Sequence, residues 1–192
     1  MNNKQQKIIG LIAKIKEIFY IEKIDLIKIT SFSFACAFLD LITKHLMFAS
    51  RRSFIFINDF LNFIKVRNYG ISFGLFDDRT TGMKMFIILF DILVVLYILT
   101  MVKTKNTYKK PKLFLLSLAM IIGGAIGNMI DRMMYGSVRD FIDCHIKNHH
   151  WATFNVADIF VCVGVGLWIM CELFYRKKET KVFNKNTKKY KK

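Results

Sequence analysis

Four apolar runs dominate the 192-residue chain, at 29–48, 83–102, 113–130 and 156–175. Each is close to the roughly 20 residues needed to cross a hydrocarbon layer about 30 Å thick. The second, MKMFIILFDILVVLYILTMV, is interrupted only by Asp91. The first contains Asp40 and Lys44, the third follows Pro111, and the fourth has Asp158 near its start and Glu172 near its end. Helices buried in a soluble core are also apolar, but they are usually shorter and keep a polar stripe. Four such runs in so short a chain favour an all-α membrane protein with four transmembrane helices.

The charges say how such a chain lies in the membrane. Of 30 Lys and Arg residues, 20 fall in three segments: 1–28, KTKNTYKKPK at 103–112, and the tail from Arg176. Cationic connections stay cytoplasmic, and four crossings place all three segments on that side, with both termini. The connections at 49–82 and 131–155 then face outward. This arrangement accounts for a net charge of +16 without nucleic acid, which would call for a basic aqueous domain. Membrane lipids are the expected neighbours of the basic ends. The expected organisation is a basic amphipathic segment at 1–27, a helix lying on the inner surface; a membrane domain at 28–176; and a basic cytoplasmic tail at 177–192. The apolar stretches of the N-terminal segment are too short for a cleavable signal peptide. In the first outer connection, alternating apolar residues at 60–76 around a turn at Asn68, Tyr69 and Gly70 suggest a small extracytoplasmic β-sheet element. Cys36, Cys144, Cys162 and Cys171 do not form a disulfide framework and are expected as small buried side chains.

Polar groups in a bilayer are costly and mark function. Tracing the helices in alternating directions brings many of them to one depth, the outer boundary. Asp40 and Lys44 share a helical face at spacing i, i+4. Asn128, Asp131 and Arg132 close the third helix, Asn155 and Asp158 open the fourth, and Asp140 and Asn68 come from the connections. Each has a plainer explanation: Asn155 and Asp158 as helix-capping groups, Lys44 and Arg132 as interface anchors, and Gly123, Gly124 and Gly127 as close-packing positions. No one of these explains the convergence.

Several chemistries are conceivable at such a place. His145, His149 and His150 raise the question of a metal, but there is no HExxH pattern and the segment need not be helical; no metal and no cofactor are expected. Ser72 with Lys44 could form a Ser/Lys peptidase pair. Asp40, Asp91 and Asp131 could serve a proton or cation transporter, although a relay needs polar groups through the full membrane thickness. The best pair is Asp140 and Asp158. Two close carboxylates share a proton, so one can draw a proton from water while the other serves the amide.

The ordered blocks DLITK (40–44), NYGISF (68–73), GGAIGNMIDR (123–132), VRDF (138–141) and FNVAD (154–158) resemble lipoprotein signal peptidase, the type II signal peptidase of bacteria. The resemblance covers about 28–176. It implies a cofactor-free intramembrane aspartyl endopeptidase of the bacterial inner membrane, with its site at the outer face. Such an enzyme cleaves lipid-modified prolipoproteins before the diacylglyceryl-modified Cys, and a monomer is expected. On this resemblance Asp140 and Asp158 are the catalytic dyad. Asp40, Lys44, Asn68, Gly70, Asn128, Asp131, Arg132 and Asn155 shape the site. Arg139 stands where the family usually has an apolar residue. It is expected either to lower the pKa of Asp140 or to point to solvent.

Overall fold

The structure, a computed structural model, describes residues 5–6, 23–70, 80–103 and 112–189. The surface helix expected at 1–27 and the second apolar alternation expected at 71–75 therefore lie largely or wholly outside the described residues. So does Ser72.

Four long helices are present: α1 (Lys23–Ala49), α2 (Thr81–Lys103), α3 (Lys112–Tyr135) and α4 (Val156–Lys189). All four have a stretch long and apolar enough to cross a membrane. α3 is the central helix and packs against the other three, around Phe114, Leu118, Ala119, Ile121 and Ile122 with Ile29, Ile98 and Cys171 from its neighbours. The outward sides of α1, α2 and α4 expose Phe34, Phe38, Phe86, Phe90, Leu93, Leu173 and Phe174, which is the inside-out pattern that lipid requires.

Glycines set the helix spacing. A Cβ on Gly123 would sit 2.6 Å from the Ser33 carbonyl of α1, and one on Gly124 would sit 2.5 Å from the Ala157 carbonyl of α4. Close backbone approach of this kind is how membrane helices gain packing energy, and it is the role expected of the GGAIG run.

The helix ends carry ordinary punctuation. α3 starts directly after Pro111. It stops at Gly136, which takes φ +74° and donates its N–H to the Arg132 carbonyl at 3.0 Å, a left-handed C-terminal cap. Thr80 caps α2, its hydroxyl accepting from the Met83 N–H at 3.4 Å. Lys65 donates its ammonium to the Phe48 carbonyl at 3.3 Å and to that of Ser50, neutralising the negative end of α1.

Two helices differ from the apolar runs that announced them. α3 extends five residues beyond 130, taking Asp131 and Arg132 into its last turns, where both are buried. α4 continues through the Lys-rich region to Lys189, because Lys and Glu are good helix formers even where no apolar face holds them.

A four-stranded antiparallel sheet, in the order β1–β2–β3–β4, sits at the end of the bundle where α1 and α3 finish and α4 begins. Its strands are β1 (Phe54–Asn58), β2 (Leu61–Asn68), β3 (Val138–Ile146) and β4 (His149–His150). The connection 131–155 was expected as a loop, and most of it is strand. Asn68 closes β2 and does not turn between two strands. The tight hairpin lies earlier, where the Phe60 N–H donates to Asn58 Oδ1 at 2.9 Å.

Candidate active site

β3 places Asp140, and the chain just before α4 is sewn to it. The Phe141 and Ile142 N–H groups donate to the Phe154 carbonyl at 3.0 and 2.9 Å, and the Phe154 N–H donates to the Ile142 carbonyl at 3.1 Å. That register sets Asn155, the next residue, against Asp140. On the other side of β3, Asn68 pairs with Val138 and Val66 with Asp140, so Asn68 and Asp140 are diagonal neighbours on one face. The Asp140 carboxylate, 2% exposed, accepts from Asn155 Nδ2 at 2.6 Å and from Asn68 Nδ2 at 3.0 Å.

Asp158 is fixed by the start of α4. The Asn155 side chain accepts from the Asp158 N–H at 3.0 Å, and the Asp158 carboxylate accepts from the Asn155 N–H at 3.1 Å. This reciprocal pair satisfies two N–H groups at a helix start. Capping was the plainer explanation for these two residues, and it holds together with the convergence. Asn128 Nδ2 donates to the other Asp158 oxygen at 2.9 Å. Asn128 Oδ1 accepts from Lys44 Nζ at 2.8 Å and from Asn155 Nδ2 at 3.1 Å. An ammonium only donates, so Lys44 determines which end of the Asn128 amide is which.

Asn155 thus touches both carboxylates, and their charges are coupled. Burial first, then the negative charge of Asp158, push the Asp140 pKa up to about 7, against the hydrogen bonds of Asn155 and Asn68 and the more distant Lys44.

The remaining charges are buried and paired. Lys44 lies 2.7 Å from Asp40 and 3.6 Å from Asp131, with all three side chains fully enclosed, so Lys44 is no interface anchor. Asp40 also accepts the Ala157 N–H of α4 at 2.8 Å. Arg132 donates to Asp91 at 2.9 Å and to the Gly70 carbonyl at 3.2 Å; it too is no interface anchor, and Asp91 acquires the partner that its place in an apolar helix demands. Gly70 donates its N–H to Asn68 Oδ1 at 3.0 Å, which orients the amide that holds Asp140.

Arg139 follows neither expectation for it. Its guanidinium and backbone N–H all engage the Asp131 carboxylate, at 2.7–3.2 Å, and its plane lies 4.3 Å over the Tyr135 ring. The side chain is buried, and Asp131 has already taken its charge. His145 and His149 do not share a helical face, since both stand on the β3–β4 hairpin, where His145 pairs with His150.

A cleft of about 300 Å³ opens beside Asp158, lined mainly by apolar side chains including Trp151, Phe154, Ile159, Val161 and Val163.

Residues 32–174 match the family model of Signal peptidase (SPase) II. The chain belongs to the signal peptidase II family. The lipoprotein signal peptidase of Sulfurihydrogenibium sp. (strain YO3AOP1) is 36% identical over 148 residues, 76% of this chain and 91% of that protein. The lipoprotein signal peptidase of Blochmanniella pennsylvanica (strain BPEN) is 43% identical over 108 residues, 56% of this chain and 64% of that protein. A solved structure described as a bacterial membrane enzyme determined by the in meso method at 2.3 Å superposes with a TM-score of 0.65 at 25% identity, covering 82% of this chain and 92% of that one. A second, at 1.9 Å, gives 0.63 at 26% identity, covering 82% and 97%.

Family membership and four apolar helices support a multi-pass bacterial membrane peptidase concerned with lipoprotein processing. Within the signal peptidase II fold of this chain, Asp40, Lys44, Asn68, Asn128, Asn155, Asp140 and Asp158 form one connected group. Asp131 and Arg139 flank it, and Arg132, Asp91 and Gly70 form a neighbouring set. Arg139 and Asp91 were not assigned to the site from sequence. The available signal was the rule that a buried charge takes a partner.

Proposed function

We propose that the chain is an aspartyl endopeptidase that removes the signal peptide from prolipoproteins by cleaving before the diacylglyceryl-modified Cys. Asp140 and Asp158 would be its catalytic pair. The observation that carries this is the bridging of two carboxylates from different elements by Asn155, with Asp140 pushed up to about 7. One proton shared at neutral pH is the state an aspartyl dyad needs.

Asp158 starts ionised, since the positive end of α4 favours charge there, and Asp140 starts protonated. Asp158 takes a proton from water as the oxygen attacks the scissile carbonyl, while Asp140 gives its proton to the carbonyl oxygen. The tetrahedral diol then collapses: Asp158 passes its proton to the departing nitrogen, the C–N bond breaks, and Asp140 recovers a proton from a diol hydroxyl. Both carboxyls end as they began, and no metal or cofactor enters. The apolar cleft beside Asp158 suits a lipid-bearing substrate that already lies in the membrane.

The site would face outward from the inner membrane, with both termini cytoplasmic, membrane lipids around the helices and a monomer as the working unit. The separation of the Lys-rich ends from the sheet-bearing end supports that orientation. A Ser/Lys mechanism is disfavoured because Lys44 is enclosed between two carboxylates and so held as an ammonium, which is no base. A transporter is disfavoured because the buried charges collect at one end of the bundle.

The test is cleavage of a lipid-modified prolipoprotein by the purified chain. Asp140→Asn and Asp158→Asn are each expected to abolish it while leaving abundance in the membrane unchanged. Normal processing by either variant would remove the dyad assignment.

A further inference from the structure

β3 carries a second polar group that the dyad leaves unused. Asp143 lies three residues after Asp140, an odd offset that turns its side chain to the opposite face of an extended strand. Its partners differ accordingly: Asn62 Nδ2 donates to it at 3.3 Å, and His150 Nδ1 lies 2.9 and 3.0 Å from its two oxygens. His145 is two residues further on, on the Asp143 face, and antiparallel pairing sets His150 directly across from it. The connection is short, with Lys147 at φ +53°, a left-handed conformation uncommon outside glycine. The two imidazoles stack with centroids 5.0 Å apart.

One donor atom from each of Asp143, His145 and His150 lies within 4.8 Å of the other two. Donor atoms around a tetrahedral ion, with bonds of roughly 2.0–2.2 Å, stand about 3.3–3.6 Å apart. Rotamer adjustments on the order of 1 Å would therefore close this group on an ion. Asn62, 4% exposed, stands across from Asp143 on β2. Its Oδ1 is buried with no hydrogen-bond partner among the described residues. A half-turn of the amide exchanges oxygen for nitrogen and offers that oxygen to the same group as a fourth donor. Burial raises the Asp143 pKa, but the hydrogen bonds from His150 and Asn62 outweigh it and hold the carboxyl below its usual range, so it is ionised when a metal arrives. The His150 side chain is half exposed and leaves the group open to solvent.

We propose that Asp143, His145 and His150, assisted by Asn62, form a binding site for a transition-metal dication on the face of the sheet turned away from Asp140. Two imidazoles and a carboxylate suit Zn²⁺, whereas Mg²⁺ and Ca²⁺ prefer all-oxygen shells. A bound ion would pin the hairpin at the free end of β3. The site is independent of the peptidase mechanism, and its test needs no substrate.

The full chain, purified in detergent through a tag without histidine and stripped of metal, is titrated with ZnCl₂ by calorimetry and followed by thermal melting. One equivalent of Zn²⁺ is expected to bind and to raise the Tm, with Mg²⁺ doing neither. His150→Ala and Asp143→Asn are expected to weaken binding at least about tenfold. Cys144→Ser, on the opposite face, is expected to bind as the parent does. His150→Ala changes an exposed side chain, so it remains informative if Asp143→Asn misfolds. Absence of stoichiometric zinc from the parent chain, equal binding by His150→Ala, or an equal response to Mg²⁺ would overturn the proposal.

Discussion

Asn155 is the residue through which the two carboxylates can be perturbed separately from the fold. Its Nδ2 holds Asp140 at 2.6 Å, and its Oδ1 caps α4 through the Asp158 N–H at 3.0 Å. Asn155→Ala removes both. The lost cap costs about 1 kcal/mol of stability. The lost bond to the carboxylate contributes about 1.5–3 kcal/mol toward the ionised form, equivalent to roughly 1–2 pKa units. Because that bond lowers the Asp140 pKa, its loss moves the pKa up from about 7. The alkaline limb of the pH–rate profile should therefore shift by 1–2 units to higher pH. The peak rate should fall about 10- to 100-fold as Asp140 loses its anchor. Asn155→Ser separates the two effects: serine is a good cap but too short to reach Asp140. It should recover thermal stability while keeping the displaced limb and the reduced rate. The measurement is prolipoprotein cleavage across pH 5–10 for the three proteins, alongside melting curves. An Asn155→Ser protein with the parent's rate and limb would show that this amide plays no part in setting the dyad.

Two further substitutions probe the frame around the dyad. Gly127→Ala would place a Cβ 2.5 Å from Asp40 Oδ2, on a carboxylate held by Lys44 and the Ala157 N–H; a loss of about 1–3 kcal/mol is expected in a detergent melt, whereas Gly166→Ala, which meets nothing within 4 Å, should be neutral or slightly stabilising. Arg139→Leu strands the buried Asp131 charge and should cost about 3–5 kcal/mol, with Arg139→Lys recovering part of it, as read from unfolding or from abundance in the membrane.

The membrane spans and much of the site were legible because the bilayer makes the sequence explicit: an Asp, Lys or Asn within an apolar run must have a reason to be there. That logic located Asp40, Lys44, Asn128 and Asp158 before any coordinates, and it applied equally to Asp91, whose partner could not be named. The Asp91–Arg132 pair joins two helices 41 residues apart, and helical periodicity carries no information about which faces meet. The sheet was harder. VRDFIDCHI at 138–146 places charged residues on both faces, and its strand character comes from pairing with β2 and Phe154; β preference of this kind depends on context. Arg139 was misjudged for a related reason. Being adjacent to Asp140 in sequence suggested an electrostatic neighbour, yet successive residues of a strand face opposite ways, and the side chain turns to Asp131.

The charges behind the dyad nearly cancel, and this bears on where it titrates. Asp40 and Asp131 offset Lys44 and Arg139, and Asp91 offsets Arg132. No surplus cation is left to stabilise a second negative charge on the pair, so burial and mutual repulsion keep the shared proton until about pH 7. Asp131→Asn tests this balance. The amide can still accept from Arg139, but one negative charge is gone and the positive field of Lys44, 3.6 Å away, is less opposed. That field lowers the Asp140 pKa, so the alkaline limb of cleavage should move to lower pH, opposite in sign to the effect of Asn155→Ala. A limb that stays in place, or moves to higher pH, in a protein that still melts cooperatively would mean that the buried ion pairs hold the helices together without setting the protonation of the carboxylates.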